Sequence, residues 1–272
     1  MDTKKEIFIM GLWTITHFWA IVPAFLIFAG ISALLSRLLK DKSDAAKYIP
    51  LKVIALIIVG LEIAKQAVSI SRGYDLYHLP FHYCSLFLYL LPLHAFSREK
   101  VKKFIDPVTF ATCSSLMLFL AIMPTVVYSD VSILNAFNNF FDGHSLVFHH
   151  LVCLYFFIAF AQGLFDLELK RDFGLVAIFL SAYVIVATVL SYALEVNFHN
   201  LRQCNLGAGE QIRVALNDAL GVFGQVIYVF GLFVLTTLFA YLAYFLMQLI
   251  DKHIIHRRSG ENAKNADDLR LG

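Results

Sequence analysis

Charged side chains are what this chain most conspicuously lacks. They make up 15% of its 272 residues, whereas a soluble domain carries about 25%. Hydrophobic residues make up 59%, and 26 residues are phenylalanine, which is more apolar surface than a water-soluble core of this length can bury. The composition therefore predicts a multi-pass membrane protein. With a net charge of only +2, it gives no support to nucleic-acid binding.

Cysteine is scarce as well, and its spacing does not point to a metal. The chain has four cysteines and no Cys-x-x-Cys pair, which argues against a zinc or dithiol site of that kind. Three of the four lie in apolar segments, where cysteine usually behaves as a small buried hydrophobe. The histidines that could meet in the fold come from separate segments. We therefore expect no metal ion and no other cofactor.

Seven apolar stretches are candidates for transmembrane helices. A helix needs about 20 apolar residues to cross about 30 Å of hydrocarbon, and only helices satisfy the backbone of such a segment internally. The first stretch is too long for the apolar part of a signal peptide, and it lacks a clear cleavage pattern. We predict an all-α polytopic bundle with spans at residues 7–36, 50–71, 80–97, 104–129, 145–165, 173–194 and 219–250.

The basic residues predict the orientation of these spans. Sixteen Lys and Arg residues fall on one side of the seven-span arrangement and five on the other, and the richer side is normally cytoplasmic. We therefore expect a protein of the cell membrane with its N-terminus outside and its C-terminus in the cytoplasm. We expect residues 1–258 to form one seven-span bundle, and the sequence shows no internal repeat. The polar segment 259–272 is expected to be a disordered cytoplasmic tail.

Polar residues within the spans gather toward the predicted outer side, whereas the cytoplasmic halves are plainer. Glu62 and Lys65 lie six to ten residues from a span end, roughly 9–15 Å deep. A charge at the centre of a membrane helix costs about 2.5–3.5 kcal/mol, so such residues face a partner or a cavity. Being three residues apart, these two can pair along one helix face. Because six spans contribute polar groups at one level, we predict an outer polar pocket, whose binding residues are His17, Glu62, Lys65, Glu195 and Gln225.

Four further residues are candidates for chemistry in this pocket. His82 and Cys84 follow Pro80, which suits the first position of a helix, at the start of the third span. If both were helical, they would point to different faces. An acyl transfer needs a base, a nucleophile or activated water, and oxyanion donors. His82 or His149 could be the base, Cys84 an optional nucleophile and Asn197 an oxyanion donor. His94 is expected at the cytoplasmic interface.

Several separated motifs resemble the YwaF family of bacterial multi-pass membrane proteins. They are GLWTITHFWAIV at 11–22, Glu62 in the second span, LPFHYC at 79–84, FHHLVCLYF at 148–156 and NFHNL at 197–201. That family is in turn distantly similar to a eukaryotic transmembrane acyltransferase that acts on phospholipids through a cysteine in a Pro-Cys-His motif. Here the motif is Pro80-Phe81-His82, so the resemblance carries over the histidine and not the cysteine.

Three functions follow from these observations. The first is an enzyme that transfers or hydrolyses lipid acyl groups, with membrane lipid as its partner. The second is a small-molecule or proton-coupled transporter that uses His17, Glu62 and Lys65 as a relay, although the cytoplasmic halves offer little polar path and no inverted repeat is present. The third is a sensor that binds a lipid headgroup or a small polar ligand without catalysis. Protein partners cannot be assigned from the sequence, and nucleic acid is not expected.

Overall fold

The chain forms a bundle of apolar helices. A computed structural model describes residues 13–205 and 207–251, and the described part contains no β-strand. Six of its helices are long and apolar enough to cross a membrane, and a shorter apolar helix spans Tyr83–Phe96. The predicted all-α polytopic fold is thereby confirmed. In chain order the helices are α1 (Ile15–Leu38), α2 (Asp44–Lys47), α3 (Ile49–Ser71), α4 (Leu86–Phe96), α5 (Glu99–Ile122), α6 (Asp130–Asn135), α7 (Phe140–Ala161), α8 (Leu169–Ala193), α9 (Gly207–Leu220) and α10 (Val222–Ile250).

The long helices run up and down through the bundle. We call the end at which α1 begins the upper end and the opposite end the lower end. Near the upper end the Trp13 indole N–H donates to the Ala121 carbonyl in α5 (2.9 Å), and near the lower end the Ser36 hydroxyl of α1 donates to the Ala161 carbonyl in α7 (3.3 Å). Residues 7–12 of the first predicted span and the predicted tail 259–272 lie outside the described residues.

Helix α5 forms the centre of the bundle because its side chains are small enough for neighbours to pack closely. Helices α4, α7, α8 and α10 all pack against it. Threonine and serine are tolerated in this dry position because they can hydrogen-bond the preceding turn. The Thr112 hydroxyl donates to the Val108 carbonyl (2.8 Å), and the Ser115 hydroxyl donates to the Ala111 carbonyl (2.7 Å).

The third predicted span is much shorter as a helix than the sequence suggested. Pro80 does not begin it, since α4 starts at Leu86 and has 11 residues. At 1.5 Å per residue this helix covers about 16 Å, roughly half of the hydrocarbon thickness. Its lower end nevertheless reaches the start of α3, where the His94 and Tyr48 rings lie 5.7 Å apart. The missing length is supplied by non-helical backbone at the upper end, before Leu86.

The seventh predicted span is interrupted near its start. Helix α9 ends at Leu220, Gly221 adopts a positive φ of 58°, and α10 begins at Val222. A positive φ costs glycine little, so the chain reverses there and α9 packs back against α10. Gly224 faces the backbone of Leu216 so closely that a Cβ atom would overlap it. Two glycines therefore allow α9 to lie beside the first turns of α10.

Candidate functional site

A buried ion pair lies at the core of the candidate site. Glu62 is 7% exposed, and the Lys65 ammonium lies 2.8 Å from one of its carboxylate oxygens. The same oxygen accepts a hydrogen bond from the Gln66 side-chain amide (2.7 Å). All three residues are on α3, at i, i+3 and i+4, where side chains share one helix face. The predicted pairing of Glu62 with Lys65 is present.

The connection between α3 and α4 folds over this pair. Its His78 carbonyl accepts from the Gln66 amide (2.8 Å), and the Tyr74 hydroxyl donates to the Gln66 carbonyl oxygen (2.8 Å). The His78 ring contacts the Ser69 hydroxyl through Nδ1 (2.7 Å) and stacks on Phe141 of α7 at 4.2 Å between centroids. Burial and the neighbouring Glu62 carboxylate raise the pKa of Tyr74. One glutamine thus fixes the loop against the helix.

His82 and Cys84 lie in the non-helical stretch that follows. His82 has extended backbone (φ −71°, ψ 157°) and precedes a single 3₁₀ turn at Tyr83–Ser85, so the helical argument for separate faces does not apply to this pair. The His82 Nε2 atom lies 3.0 Å from the Tyr77 carbonyl, which can only accept. A neutral ring therefore donates from Nε2 and keeps its lone pair on Nδ1.

His82 lies beside two other basic residues of this region. Lys65 and His78 are both near enough to act electrostatically on its ring. Cys84 is part of the same group, because it acts together with burial to raise the pKa of Tyr77. We call Glu62, Lys65, Gln66, His78, His82 and Cys84 the loop cluster.

His17 and His149 meet in a second group, around Tyr128. The His17 Nε2 atom lies 2.9 Å from the Tyr128 carbonyl, and the edge of the Tyr128 ring meets the His149 ring with 5.5 Å between centroids. The His149 Nδ1 atom lies 2.8 Å from the Ser145 carbonyl one turn earlier in α7. A neutral His149 consequently carries its lone pair on Nε2. His17 is fully buried and His149 is 6% exposed.

The remaining predicted residues lie in a third group, between α8 and α10. The Asn197 side-chain oxygen accepts from the backbone N–H groups of Arg202 (3.0 Å) and Gln203 (3.2 Å), and its amide donates to the Gln203 carbonyl (2.9 Å). Gln225 joins this loop to α10 by donating to the Leu201 carbonyl (2.9 Å). Glu195 is exposed and has a positive φ of 56° just after α8. The Asn197 amide, which was predicted to donate to an oxyanion, is therefore used within its own loop.

The three groups occupy the same end of the bundle as neighbours. The His82 ring contacts Phe198 with 5.2 Å between centroids, which links the loop cluster to the Asn197 loop. Glu62, Lys65, His82 and Cys84 are brought together, His17 and His149 meet through Tyr128, and Asn197 and Gln225 lie apart from both. Among the nine predicted site residues, only Gln225 lines the cavity described next.

A cavity of about 740 Å³ runs along the cleft between α8 and α10. Its walls are mainly aliphatic and aromatic, and polar side chains occur toward the upper end. We call it the α8–α10 groove; it is lined by Ser181, Val184, Ile185, Thr188, Tyr192, Asn217, Gly221, Val222, Gln225, Val226, Val229, Phe230 and Phe233.

The lower end is not plain, contrary to expectation. His94, which was predicted to lie at the cytoplasmic interface, is fully buried between helices at this end. Its Nδ1 atom lies 2.6 Å from the Tyr155 hydroxyl, and its Nε2 atom lies 3.2 Å from the Leu164 carbonyl and 3.7 Å from an Asp106 carboxylate oxygen. The sequence feature that could have indicated this cluster is Asp106, which lies inside the predicted span 104–129, two residues from its start.

A second buried carboxylate closes the lower end between α8 and α10. Asp172 is 1% exposed and accepts from the Tyr244 hydroxyl (2.6 Å), the Glu168 backbone N–H (2.7 Å) and the Arg171 guanidinium (2.9 Å). Buried charges persist only when such partners satisfy them. The predicted span 173–194 begins one residue after Asp172, so Asp172 was predicted to lie in a loop.

His78 and His82 are four residues apart, a spacing that suits metal binding on an α-helix. They lie outside any α-helix, however, and contact Ser69 and Tyr77. Within residues 13–205 and 207–251, no group of three or more His, Cys, Asp or Glu side chains is arranged to hold a metal ion.

These features define a multi-pass helical membrane protein with buried polar clusters at both ends. Residues 12–247 match the sequence model of the TMEM164 family. Since the match covers most of the chain, the protein belongs to the TMEM164 family. The membrane class implied by the resemblance is confirmed, whereas the YwaF name and the likeness to an acyltransferase are not. Searches of curated proteins and of solved structures gave no match.

Proposed function

We propose that this protein is a membrane enzyme that transfers or hydrolyses the acyl groups of lipids in the loop cluster. The observation that carries the proposal is the stretch without α-helix before α4, in which His82 and Cys84 both lie near Lys65 of the Glu62–Lys65 pair. Irregular backbone at membrane depth is tolerated only where protein covers it or where it lines a cavity. Charged residues inside a membrane protein are most often functional, because placing a charge in a membrane helix costs free energy.

The reaction assigned to these groups begins with proton transfer from the Cys84 thiol to Nδ1 of His82. The sulfur attacks the ester carbonyl, and Lys65 stabilises the negative oxygen of the tetrahedral intermediate. Collapse of the intermediate breaks the C–O ester bond, and the departing alkoxide takes the proton from His82. Water or the hydroxyl group of another lipid then attacks the thioester carbonyl and gives its proton to His82. The C–S bond breaks, and the Cys84 sulfur leaves and takes that proton back from His82. A neutral His82 suits the first step, because only the uncharged ring can accept a proton.

The hydrogen bonds that each side chain already makes favour His82 as the base. His82 retains a free lone pair on Nδ1, whereas the Asn197 amide is engaged in its own loop. His149 retains its lone pair on Nε2 and is the second candidate for the base. The distant likeness to a cysteine-dependent acyltransferase supports the class of reaction, although Phe81 occupies the position of that protein's cysteine.

The experiment is acyl exchange in liposomes that contain the purified full-length protein. Phospholipids with isotopically distinct acyl chains are incubated, and redistributed chains or free fatty acid are measured by mass spectrometry. We expect Cys84→Ser and His82→Gln to abolish redistribution, whereas Cys204→Ser is the matched cysteine control and retains it. His149→Gln tests the alternative base. Equal lipid profiles for wild-type protein and protein-free liposomes would exclude the enzyme.

A proton-coupled permease is a second candidate, which the lower end specifically favours. A permease needs polar groups in the lower half of the bundle, where the sequence indicated few. His94, Asp106 and Asp172 are all buried in that half. In liposomes with an imposed pH gradient, a permease would acidify the lumen in a substrate-dependent manner. Glu62→Gln and Asp106→Asn would each abolish that flux, whereas Cys84→Ser would leave it intact. If the protein is the enzyme proposed above, Cys84→Ser instead abolishes its activity.

We also propose that the protein lies in the cell membrane with its upper end outside and its C-terminus in the cytoplasm. The basis is the asymmetric distribution of Lys and Arg. Membrane lipid is then the partner at the loop cluster, facing the outer leaflet.

A further inference from the structure

We propose that the α8–α10 groove binds one acyl chain of a membrane phospholipid and places the lipid phosphate beside Arg202. This site is separate from the loop cluster. The Phe81 and Phe198 rings pack together at 5.9 Å, and the Tyr183 hydroxyl of α8 donates to the Phe81 carbonyl (3.1 Å), so this wall stands between the two. The inference does not require the reaction proposed above.

The groove opens sideways from the bundle, toward what surrounds a membrane helix. Its rim residues Ile185, Val222 and Phe230 are 64%, 86% and 64% exposed, and each lies on a membrane-spanning helix. In a bilayer such faces meet lipid chains, so hydrocarbon is the material at the opening. The volume of about 740 Å³ falls within the usual range of roughly 300–1,000 Å³ for small-molecule sites.

The wall of the groove is apolar below its upper end, where the polar lining residues Tyr192, Asn217 and Gln225 lie. Val184, Val229 and Phe233 form much of it. The Ser181 and Thr188 hydroxyl groups of α8 are already used within their own helix: Ser181 donates to the Ala177 carbonyl (2.8 Å), and Thr188 donates to the Val184 carbonyl (2.7 Å). A wall whose donors are satisfied favours an apolar chain, because burying polar ligand groups there would leave them unpaired.

The upper rim supplies a cation for the other end of an amphiphile. The Arg202 guanidinium lies over the ring of Tyr192, a lining residue, at 5.7 Å from the centroid. No carboxylate of the described residues pairs with Arg202, whereas Arg213 nearby donates to Glu210, which helps to hold the pKa of Glu210 at about 2. Arginine is well matched to phosphate, and Arg202 is the rim arginine whose charge remains available.

The test uses full-length protein in bilayers that contain a phosphatidylcholine with a photoactivatable group on one acyl chain. After irradiation, labelled positions are identified by peptide mass spectrometry. We expect labelling to concentrate on Ile185, Val226 and Phe230. Val226→Trp should fill the groove and reduce this labelling to the level of other lipid-facing positions. Val189→Trp is the matched control, since Val189 is 62% exposed on α8 outside the groove and Val226 is 56% exposed.

A second lipid probe tests whether Arg202 binds the phosphate. A photoactivatable diacylglycerol carries the same chains without phosphate. Arg202→Gln should weaken labelling by the phospholipid and leave labelling by the diacylglycerol unchanged. Equal loss with both lipids, or no loss, would overturn the role of Arg202.

Two other outcomes would overturn the groove itself. Labelling spread evenly over all exposed helix faces would mean ordinary contact with bulk lipid. Cross-links between two copies through α8 and α10 would mean that a second protein chain covers the cleft. If Val226→Trp does not fold, the distribution of labels on the wild-type chain still decides between these outcomes. Because no turnover is measured, a failure here is distinguishable from failure of the proposed enzyme.

Discussion

Tyr241 and Tyr244 lie on the same helix, and their hydroxyl groups have acceptors of different charge. Tyr244 donates to the buried Asp172 carboxylate at 2.6 Å, and Tyr241 donates to the neutral Phe173 carbonyl at 2.5 Å. A hydrogen bond to a charged group contributes about 1.5–3 kcal/mol, against about 0.5–1.5 kcal/mol for a neutral one. At the scale of single residues, the acceptor's charge therefore decides what a hydroxyl group contributes.

Tyr244→Phe should accordingly lower the free energy of unfolding by about 1.5–3 kcal/mol, and Tyr241→Phe by about 0.5–1.5 kcal/mol. The loss is measured by denaturant titration of the detergent-solubilised protein. Equal losses for the two variants would contradict a charged, satisfied Asp172.

His199 makes the stability depend on pH. It lies in the loop after α8 with a left-handed backbone (φ 48°), and its ring stacks on Tyr83 at 5.2 Å. Burial lowers its pKa from the ordinary value of 6.5 to about 4, and the nearby His82 lowers it further in the same direction. Between these two values the unfolded chain binds a proton that the folded chain does not, so acidification favours unfolding.

The free energy of unfolding should therefore fall as the pH is lowered from about 6.5 toward about 4. His199→Asn removes the titrating group and keeps a residue that tolerates positive φ. Melting temperatures of both proteins are measured from pH 8 to pH 4. The wild type should lose more stability than the variant across this window, and parallel curves would show that His199 does not contribute.

At the scale of helices, the α9–α10 hairpin depends on contact between two backbones. A Cβ atom at Gly224 would overlap the Leu216 carbonyl, whereas one at Gly231 in the same helix would meet nothing within 4 Å. The two positions carry the same residue in one helix, so they separate the steric effect from helix propensity.

Gly224→Ala should displace α9 from α10 and cost about 1–3 kcal/mol, while Gly231→Ala should be stabilising by about 0.5–1 kcal/mol. Amide hydrogen exchange over residues 207–220 reports the displacement. Unchanged protection of α9 in the Gly224 variant would show that the hairpin does not need the glycine contact.

For the whole molecule, the short helix α4 decides how many times the chain crosses the membrane. With α4 and the loop before it counted as one crossing, the connection after α3 and the connection before α5 lie on opposite sides. Asp75 is exposed in the first connection, and Lys100 is exposed in the first turn of α5, next to the second.

In a variant without native cysteines, Asp75→Cys should react with a membrane-impermeant maleimide added to intact cells. Lys100→Cys should react only after the membrane is opened. Reaction of both positions from the same side would mean that Tyr83–Phe96 does not cross the membrane.

Most of the fold could be predicted from the sequence, because long apolar stretches have few alternatives in a bilayer. The predicted spans at 50–71, 145–165 and 173–194 each overlap an observed helix closely. The break at Gly221 and the late start of α4 were missed. Both depend on contacts with other segments, namely α9 against α10 and the loop cluster against α3, which hydropathy does not register.

The sequence could place the candidate site residues along their own helices, but it could not show which of them contact one another. Each polar residue's depth follows from its distance to a span end, and the Glu62–Lys65 pair follows from helical spacing. Helix rotation and loop path are set by packing, so the sequence could not show that Asn197 binds its own loop. It also could not show that His94 turns inward to meet Tyr155.

By itself, the sequence determined a multi-pass helical protein, because the cost of exposing free backbone to lipid acts on each segment separately. It also determined the Glu62–Lys65 pair, because residues three apart share one helix face. The tertiary structure alone decided which polar groups meet: the loop cluster, the Tyr128 contacts, the lower-end carboxylates and the α8–α10 groove. Those juxtapositions join residues far apart in the chain, and only the packing of helices around α5 brings them within bonding distance.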